Sequence, residues 1–137
     1  MIKSVNLGEE IIITTKNKIG LMANVSAMLA KHDINIEAAA GYEDGKTAKL
    51  LLVTNANLLI VNNLKRKKYK SVREVEVVLV TLENKPGILK AVTGELRKAK
   101  IDIKHMYVTG SLQGASRMVL LTSDNEKSMA VLIKLVS

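Results

Sequence analysis

Asn17-Lys18-Ile19-Gly20-Leu21-Met22 and Asn84-Lys85-Pro86-Gly87-Ile88-Leu89 are one six-residue pattern written twice, 67 residues apart. Working outward from it, residues 2–37 align on 69–104 with thirteen identities in thirty-six positions. After one extra residue in the second copy the match resumes, with Leu52 on Leu120, Thr54 on Thr122, Asn57 on Asn125 and Leu64 on Leu132. Self-similarity at a fixed period decides the architecture before any local reading does. Two related units of about 67 residues therefore fill the 137-residue chain.

Each copy carries the same elements. Residues 9–15 and 75–82 are rich in β-branched residues and read as strands. The repeated loop follows, with Pro86 suited to a helix start and Gly20 and Gly87 permitting close backbone approach. Leu21, Val25, Met28 and Leu29, and then Ile88, Leu89, Val92 and Leu96, recur at helical spacing, so each loop opens a helix. Met22 and Met28 lie on or near the apolar stripe and read as core filler. Second strands are expected over 34–42 and 101–109, turns at Asp44-Gly45 and Gln113-Gly114, and third strands over 48–54 and 117–123. Asn57, and Asp124 or Asn125, are expected to cap a second helix in each copy.

Residues 69–75 supply a fourth strand to the first unit and run directly into the first strand of the second, which ends without one. The repeat places the equivalent of 69–72 at residues 2–5. Residues 2–7 are therefore expected to fold back as the fourth strand of the second unit, giving units of 8–75 and 76–137 plus 2–7. Such a strand would cover an otherwise unpaired edge. The runs Ile11-Ile12-Ile13, Leu50-Leu51-Leu52-Val53, Val77-Val78-Leu79-Val80 and Val119-Leu120-Leu121 are apolar at every position, so both faces of each sheet read as covered. Helices can take only one face, which leaves the other to the sibling unit or a second chain.

Composition removes several functions. No apolar run approaches the roughly 18 residues of a spanning helix, and residues 1–8 lack a signal-peptide core, so a soluble cytoplasmic protein is expected. Without cysteine there is no thiol nucleophile, disulfide or thiolate metal site. A net charge of +8, shared equally by the two copies, invites a nucleic-acid reading, but three tyrosines with no Phe or Trp cannot form a base-stacking platform. His32 and His105 occupy non-equivalent positions without a partner at metal-ligand spacing. No phosphate loop of Walker or Rossmann spacing and no nucleophile–base pair can be assembled, so neither an enzyme nor a cofactor is expected. The run Lys65-Arg66-Lys67-Lys68 reads as closing a helix, where cations suit the negative end of the dipole.

The strand–helix–strand–strand–helix–strand unit with its Asn-x-Pro-Gly-x-Leu loop at Asn84–Leu89 resembles the ACT domain, a ferredoxin-like regulatory module. The first copy keeps Asn17 and Gly20 but carries Ile19 in place of proline. The resemblance implies an α+β fold of two tandem ferredoxin-like βαββαβ units, each an antiparallel sheet with helices on one face. It also implies a regulatory binder of small molecules, most often amino acids, held between paired domains. The contacts it implies are the loop asparagine and a polar residue at the start of the second strand, which fall on Asn17 and Asn35, and on Asn84 and Asp102. Serine-sensing members use a histidine two residues before that asparagine; here Thr15 and Leu82 stand there.

The loop chemistry agrees with this on its own terms. A helix start offers unpaired N–H groups and a positive dipole end to a carboxylate. Gly20 and Gly87 would let a ligand reach the backbone at Leu21 and Ile88, while Asn17 or Asn84 offers an amide oxygen to an ammonium group. Ile19 and Pro86 complete the candidate binding residues. The expected partners are an amino acid, a second copy of the chain in a homodimer, and a metabolic enzyme; nucleic acid and membrane are not expected. The alternative is a ligand-free interaction protein that docks on such an enzyme.

Overall fold

The computed structural model describes residues 2–16, 19–67, 69, 71–110 and 114–137. In chain order the described elements are β1 (Ile2–Thr15), α1 (Leu21–Lys31), β2 (Ile36–Asp44), β3 (Thr47–Thr54), α2 (Asn57–Lys65), β4 (Ser71–Glu83), α3 (Ile88–Lys98), β5 (Ile103–Thr109), β6 (Ala115–Thr122) and α4 (Asn125–Leu132), closed by a 3-10 turn over Ile133–Leu135. Helix and strand starts fall within two residues of those expected from the pattern. The strand read over 69–75 runs directly into its successor as β4, and β1 likewise joins the strands read over 2–7 and 9–15 into one.

The chain divides into two compact units, one of residues 9–75 and one of residues 2–8 with 76–137. Within the first the strand order is β2-β3-β1-β4, and within the second β1-β4-β6-β5. Both place the last strand of a βαββαβ unit beside its first, the ferredoxin-like order. The fold is α+β, with β3 antiparallel to β1 and β2, and β6 antiparallel to β4 and β5. Gly8 belongs with 76–137, one position beyond the boundary read from the repeat. Its backbone lies so close to Leu79 that a Cβ would collide with that side chain.

Among the described residues each unit has its own core of eleven buried side chains. In the first, Ile11, Ile13, Leu50 and Leu52 of the strands meet Val25 and Leu29 of α1 and Ile60 and Leu64 of α2. In the second, Val78, Val80, Met118 and Leu120 meet Val92 and Leu96 of α3 and Leu132 of α4, and the amino-terminal Ile2 joins them, fully buried. Each such burial contributes on the order of 2 kcal/mol, so these clusters outweigh any single polar contact. The strand residues of opposite parity, among them Ile12, Leu51, Val77 and Val119, are buried as well, which explains why the strands do not alternate. Met22 and Leu89 depart from expectation: each follows a buried stripe residue, Leu21 or Ile88, by one position, which turns it about 100° away from the core and leaves it exposed.

A polar joint recurs in each copy. The Asn57 side-chain oxygen accepts from Thr54 N (3.0 Å) and Thr54 Oγ1 (2.7 Å), and its amide donates to the Glu9 carbonyl (2.7 Å). Asn125 repeats this on Thr122 N, Thr122 Oγ1 and the Glu76 carbonyl. Asn57 is therefore not the cap expected from its residue type. It is the first residue of α2 and ties the end of β3 to β1, while Ala56 stands at the cap with no side-chain bond. In the second copy Asp124 is the cap, accepting from Lys127 N at 3.0 Å, and Asn125 is the tie.

Candidate functional site

The β1–α1 and β4–α3 loops end on glycines in the left-handed region, Gly20 at φ 82° and Gly87 at φ 89°. A side chain there is strained even where there is room, and nothing lies within 4 Å of a Cβ built on Gly87. Each glycine is the helix N-cap, its carbonyl taking the first helical bond from Asn24 N (2.9 Å) or Ala91 N (3.0 Å). Among the described residues neither helix has a side-chain cap bond. A loop that uses glycine where Ser, Asp or Asn would stand supplies no side-chain oxygen from the cap position to the first-turn N–H groups.

The second loop is fixed by backbone. Asn84 N donates to the Gly114 carbonyl (2.9 Å), Lys85 N to Glu83 O (3.0 Å) and Ile88 N to Lys85 O (3.3 Å). Its neighbours Glu83 and Lys85 form an ion pair at 2.8 Å. The hydrogen bond from Lys85, then its charge, holds the Glu83 carboxyl below its ordinary range, and the same bond raises Lys85. With its flanking charges paired, the loop presents the exposed Asn84 and Pro86 together with the α3 terminus. Pro86 stands two positions before α3 begins, in the turn, so its fixed φ shapes the approach and not the first helical residue. Ile88 is buried in the core below.

In the first loop Gly20 is exposed, Leu21 is buried and Ile19 is 89% exposed; Asn17 lies outside the described residues. Beside Leu21 is a cavity of 340 Å³, lined by Met22, residues 39–43 of β2 and residues 48–50 of β3. The sequence reading missed the part played by Met22 and Tyr42. Both are large, half-apolar side chains left about half exposed, at 42% and 51%.

Asn35 and Asp102 occupy equivalent positions at the mouths of β2 and β5. Asn35 N donates to Asn55 Oδ1 (3.2 Å) and Asn35 O accepts from Asn55 N; Asp102 N donates to Ser123 Oγ (3.0 Å) and Asp102 O accepts from Ser123 N. Among the described residues neither meets its own unit's loop. Thr15, which leads into the first loop, pairs with Ala48, whereas Asn35 sits beside Asn55. Seven residues of strand separate those points, roughly 23 Å. The β4–α3 loop, beside Gly114, is similarly remote from Asp102, beside Ser123.

Residues 77–136 match the family model of the ACT domain. No curated protein matches the chain in sequence. Among solved structures, protein BT0572 from Bacteroides thetaiotaomicron superposes with a TM-score of 0.86 at 25% identity, covering 96% of this chain and 90% of that one. The ligand-free regulatory subunit of aspartate kinase from Thermus thermophilus gives a TM-score of 0.66 at 10% identity, with both chains wholly covered. A putative carboxy-terminal regulatory domain of aspartate kinase from Porphyromonas gingivalis gives 0.58 at 16%, covering 97% and 96%. The last two likenesses are ones of fold. No helix among the described residues is long and apolar enough to cross a membrane.

Proposed function

We propose that this chain is a non-enzymatic regulatory protein made of two tandem ACT units, which binds an amino acid at the loop between the first strand and first helix of a unit. The observation that carries this reading is the repeated loop, a left-handed glycine opening a helix that has no side-chain cap, at Gly20 and again at Gly87. A ligand carboxylate takes the place of the missing cap, and Asn84, with Asn17 in the other copy, receives the ammonium group. The ACT match over 77–136 supports the regulatory class, and the aspartate kinase regulatory structures support the two-unit arrangement as a form in which such modules work. The first unit, outside the family match, is assigned with the second because it repeats the loop and the asparagine tie.

Asn35 and Asp102 enter the site from the other side. Since each lies some strand length from its own loop, a ligand that touches both kinds of residue bridges two units, and a homodimer joined along the outermost strands β2 or β5 provides that pairing. A thermal-shift screen against the twenty amino acids should find one that stabilises the protein at millimolar concentration. Asn84→Ala or Asn17→Ala should remove the shift. If no amino acid stabilises the protein, the reading falls in favour of a ligand-free docking role on a metabolic enzyme, for which the exposed Ile19, Met22 and Leu89 at these loops would be the contact. If both variants keep the full shift, the loops are not the site.

A further inference from the structure

The repeat supplies an internal control for every surface feature, and one groove differs sharply between the copies. In the unit of residues 9–75 a cavity of 680 Å³ lies between the carboxy-terminal parts of α1 and α2. Its floor is apolar: Val25 is fully buried, and Met28 and Tyr69 are half-buried and packed on the unit's core. Its rim carries Lys31, His32, Arg66 and Lys67 and no carboxylate. Among the described residues, Lys31, Arg66 and Lys67 have no ion-pair partner.

The second copy fills the same positions differently. His32, Asn63 and Lys67 correspond to Ala99, Val131 and Leu135, which pack against the core cluster that contains Ile2, the counterpart of Tyr69. Met28 corresponds to Glu95, which pairs at 3.2 Å with Lys98, the counterpart of Lys31. One copy thus closes this groove with apolar side chains and pairs the cation at Lys98, keeping an unpaired cation, among the described residues, only at Lys134, the counterpart of Arg66. The other keeps the groove open and its cations unpaired. Compensation of helix dipoles does not account for this, because each helix end carries only about half a negative charge, which a single cation offsets.

We propose that the α1–α2 groove is a second binding site, for a small phosphate-bearing molecule. Arg66 offers a planar fork to two phosphate oxygens, Lys31 and Lys67 add point charges, and the Met28 and Tyr69 surfaces take the rest of the ligand. The cavity has the size of a small-molecule site, and its lining, more polar than is usual there, suits a charged ligand with a smaller apolar part. It is distinct from the amino-acid loop, since Gly20 and Lys31 mark opposite ends of an eleven-residue helix roughly 16 Å long.

Isothermal titration of the full chain with inorganic tripolyphosphate and with ATP tests the proposal. Saturable binding that weakens as salt rises is expected. Tighter binding of ATP would show that the Tyr69 floor recognises a ring, and equal affinities that phosphate alone is read; either supports the site. The triple variant Lys31→Gln, Arg66→Gln, Lys67→Gln should lose at least tenfold in affinity. The variant Lys90→Gln, Arg97→Gln, Lys98→Gln, with the same charge change on α3, should stay within twofold. Asn63→Val with Lys67→Leu, which installs the second copy's residues, should also abolish binding while keeping the fold by circular dichroism. Absence of saturable binding at millimolar probe, or equal loss in both triple variants, overturns the proposal.

Discussion

Replacing Asn57 by alanine removes three hydrogen bonds that tie β3, α2 and β1 together, and their individual worth can be read from their surroundings. Thr54 is only 8% exposed, so its N–H loses an acceptor that water cannot readily replace, at a cost of about 1–2 kcal/mol. The Thr54 hydroxyl can be re-aimed and loses about half of that, while the Glu9 carbonyl, on an exposed residue, is resolvated at little cost. The sum is about 2 kcal/mol. Asn125→Ala should cost somewhat less, because Thr122 Oγ1 keeps a second partner in Ser128 Oγ at 2.8 Å. Asn57→Asp should not recover the loss, since it keeps the acceptor but turns a carboxylate toward the Glu9 carbonyl. Urea unfolding followed by far-UV circular dichroism measures all three, with the slope against denaturant expected to stay constant. Costs below about 0.5 kcal/mol for both alanine variants would refute the assignment of these asparagines as structural ties.

Other substitutions separate packing, backbone strain and charge. Ile2→Ala removes a fully buried side chain from the core of the unit of residues 76–137 and should cost about 3 kcal/mol by urea unfolding; a cost under 1 would mean the amino-terminal segment is not part of that core. Gly87→Ala meets no atom within 4 Å but must adopt φ 89°, so it should cost about 1 kcal/mol, and an unchanged midpoint would show the loop relaxing out of the left-handed region. The Glu74 carboxyl is raised above its ordinary 4.5, first by loss of solvent and then by its hydrogen bond to and repulsion from Glu9, with Lys65 opposing. The folded state therefore holds its proton more tightly than the unfolded one, and stability falls as pH rises from about the ordinary value through the raised one. Glu74→Gln should raise the melting temperature at pH 7, with the gain vanishing below about pH 4.5; a gain that is independent of pH would exclude this cause.

The two-unit fold was legible because it rests on features that a sequence writes down directly. Continuous β-branched runs, a helical stripe at Val25, Leu29, Val92 and Leu96, and a repeat that transfers each assignment to the other copy all concern residues whose burial follows from their type. The errors fall where geometry and not type decides. Asn57 has the chemistry of a helix cap, yet its side chain reaches back to Glu9, 48 residues away, and nothing local could announce that. Leu89 and Met22 have the type of core residues, but each stands one position past the buried Ile88 or Leu21 and so points to solvent. The run that begins Lys65-Arg66-Lys67 does close α2, as its charge suggests, with Lys65 in the last turn and Arg66 at the cap; that Arg66 and Lys67 also line a cavity is not written in a charge run.

The placement of Asn35 and Asp102 limits how an amino-acid site of this kind can be built. Within one unit the loop lies beside the start of β3 and the polar strand-start residue beside its end, so the strand length itself keeps them apart. No side-chain rearrangement spans roughly 23 Å. If both groups contact one ligand, the two must come from different units, and where those units belong to two copies of the chain, as in the proposed homodimer, binding is linked to pairing: ligand stabilises the paired state by mass action, and dilution weakens apparent affinity. Sedimentation velocity across a range of protein concentrations, with and without the amino acid found in the thermal screen, reads this linkage. A ligand-induced shift toward dimer, lost together in Asp102→Ala and Asn84→Ala, is the expected result. Full affinity for ligand in a species shown to remain monomeric, with Asp102→Ala without effect, would confine the site to the loop alone.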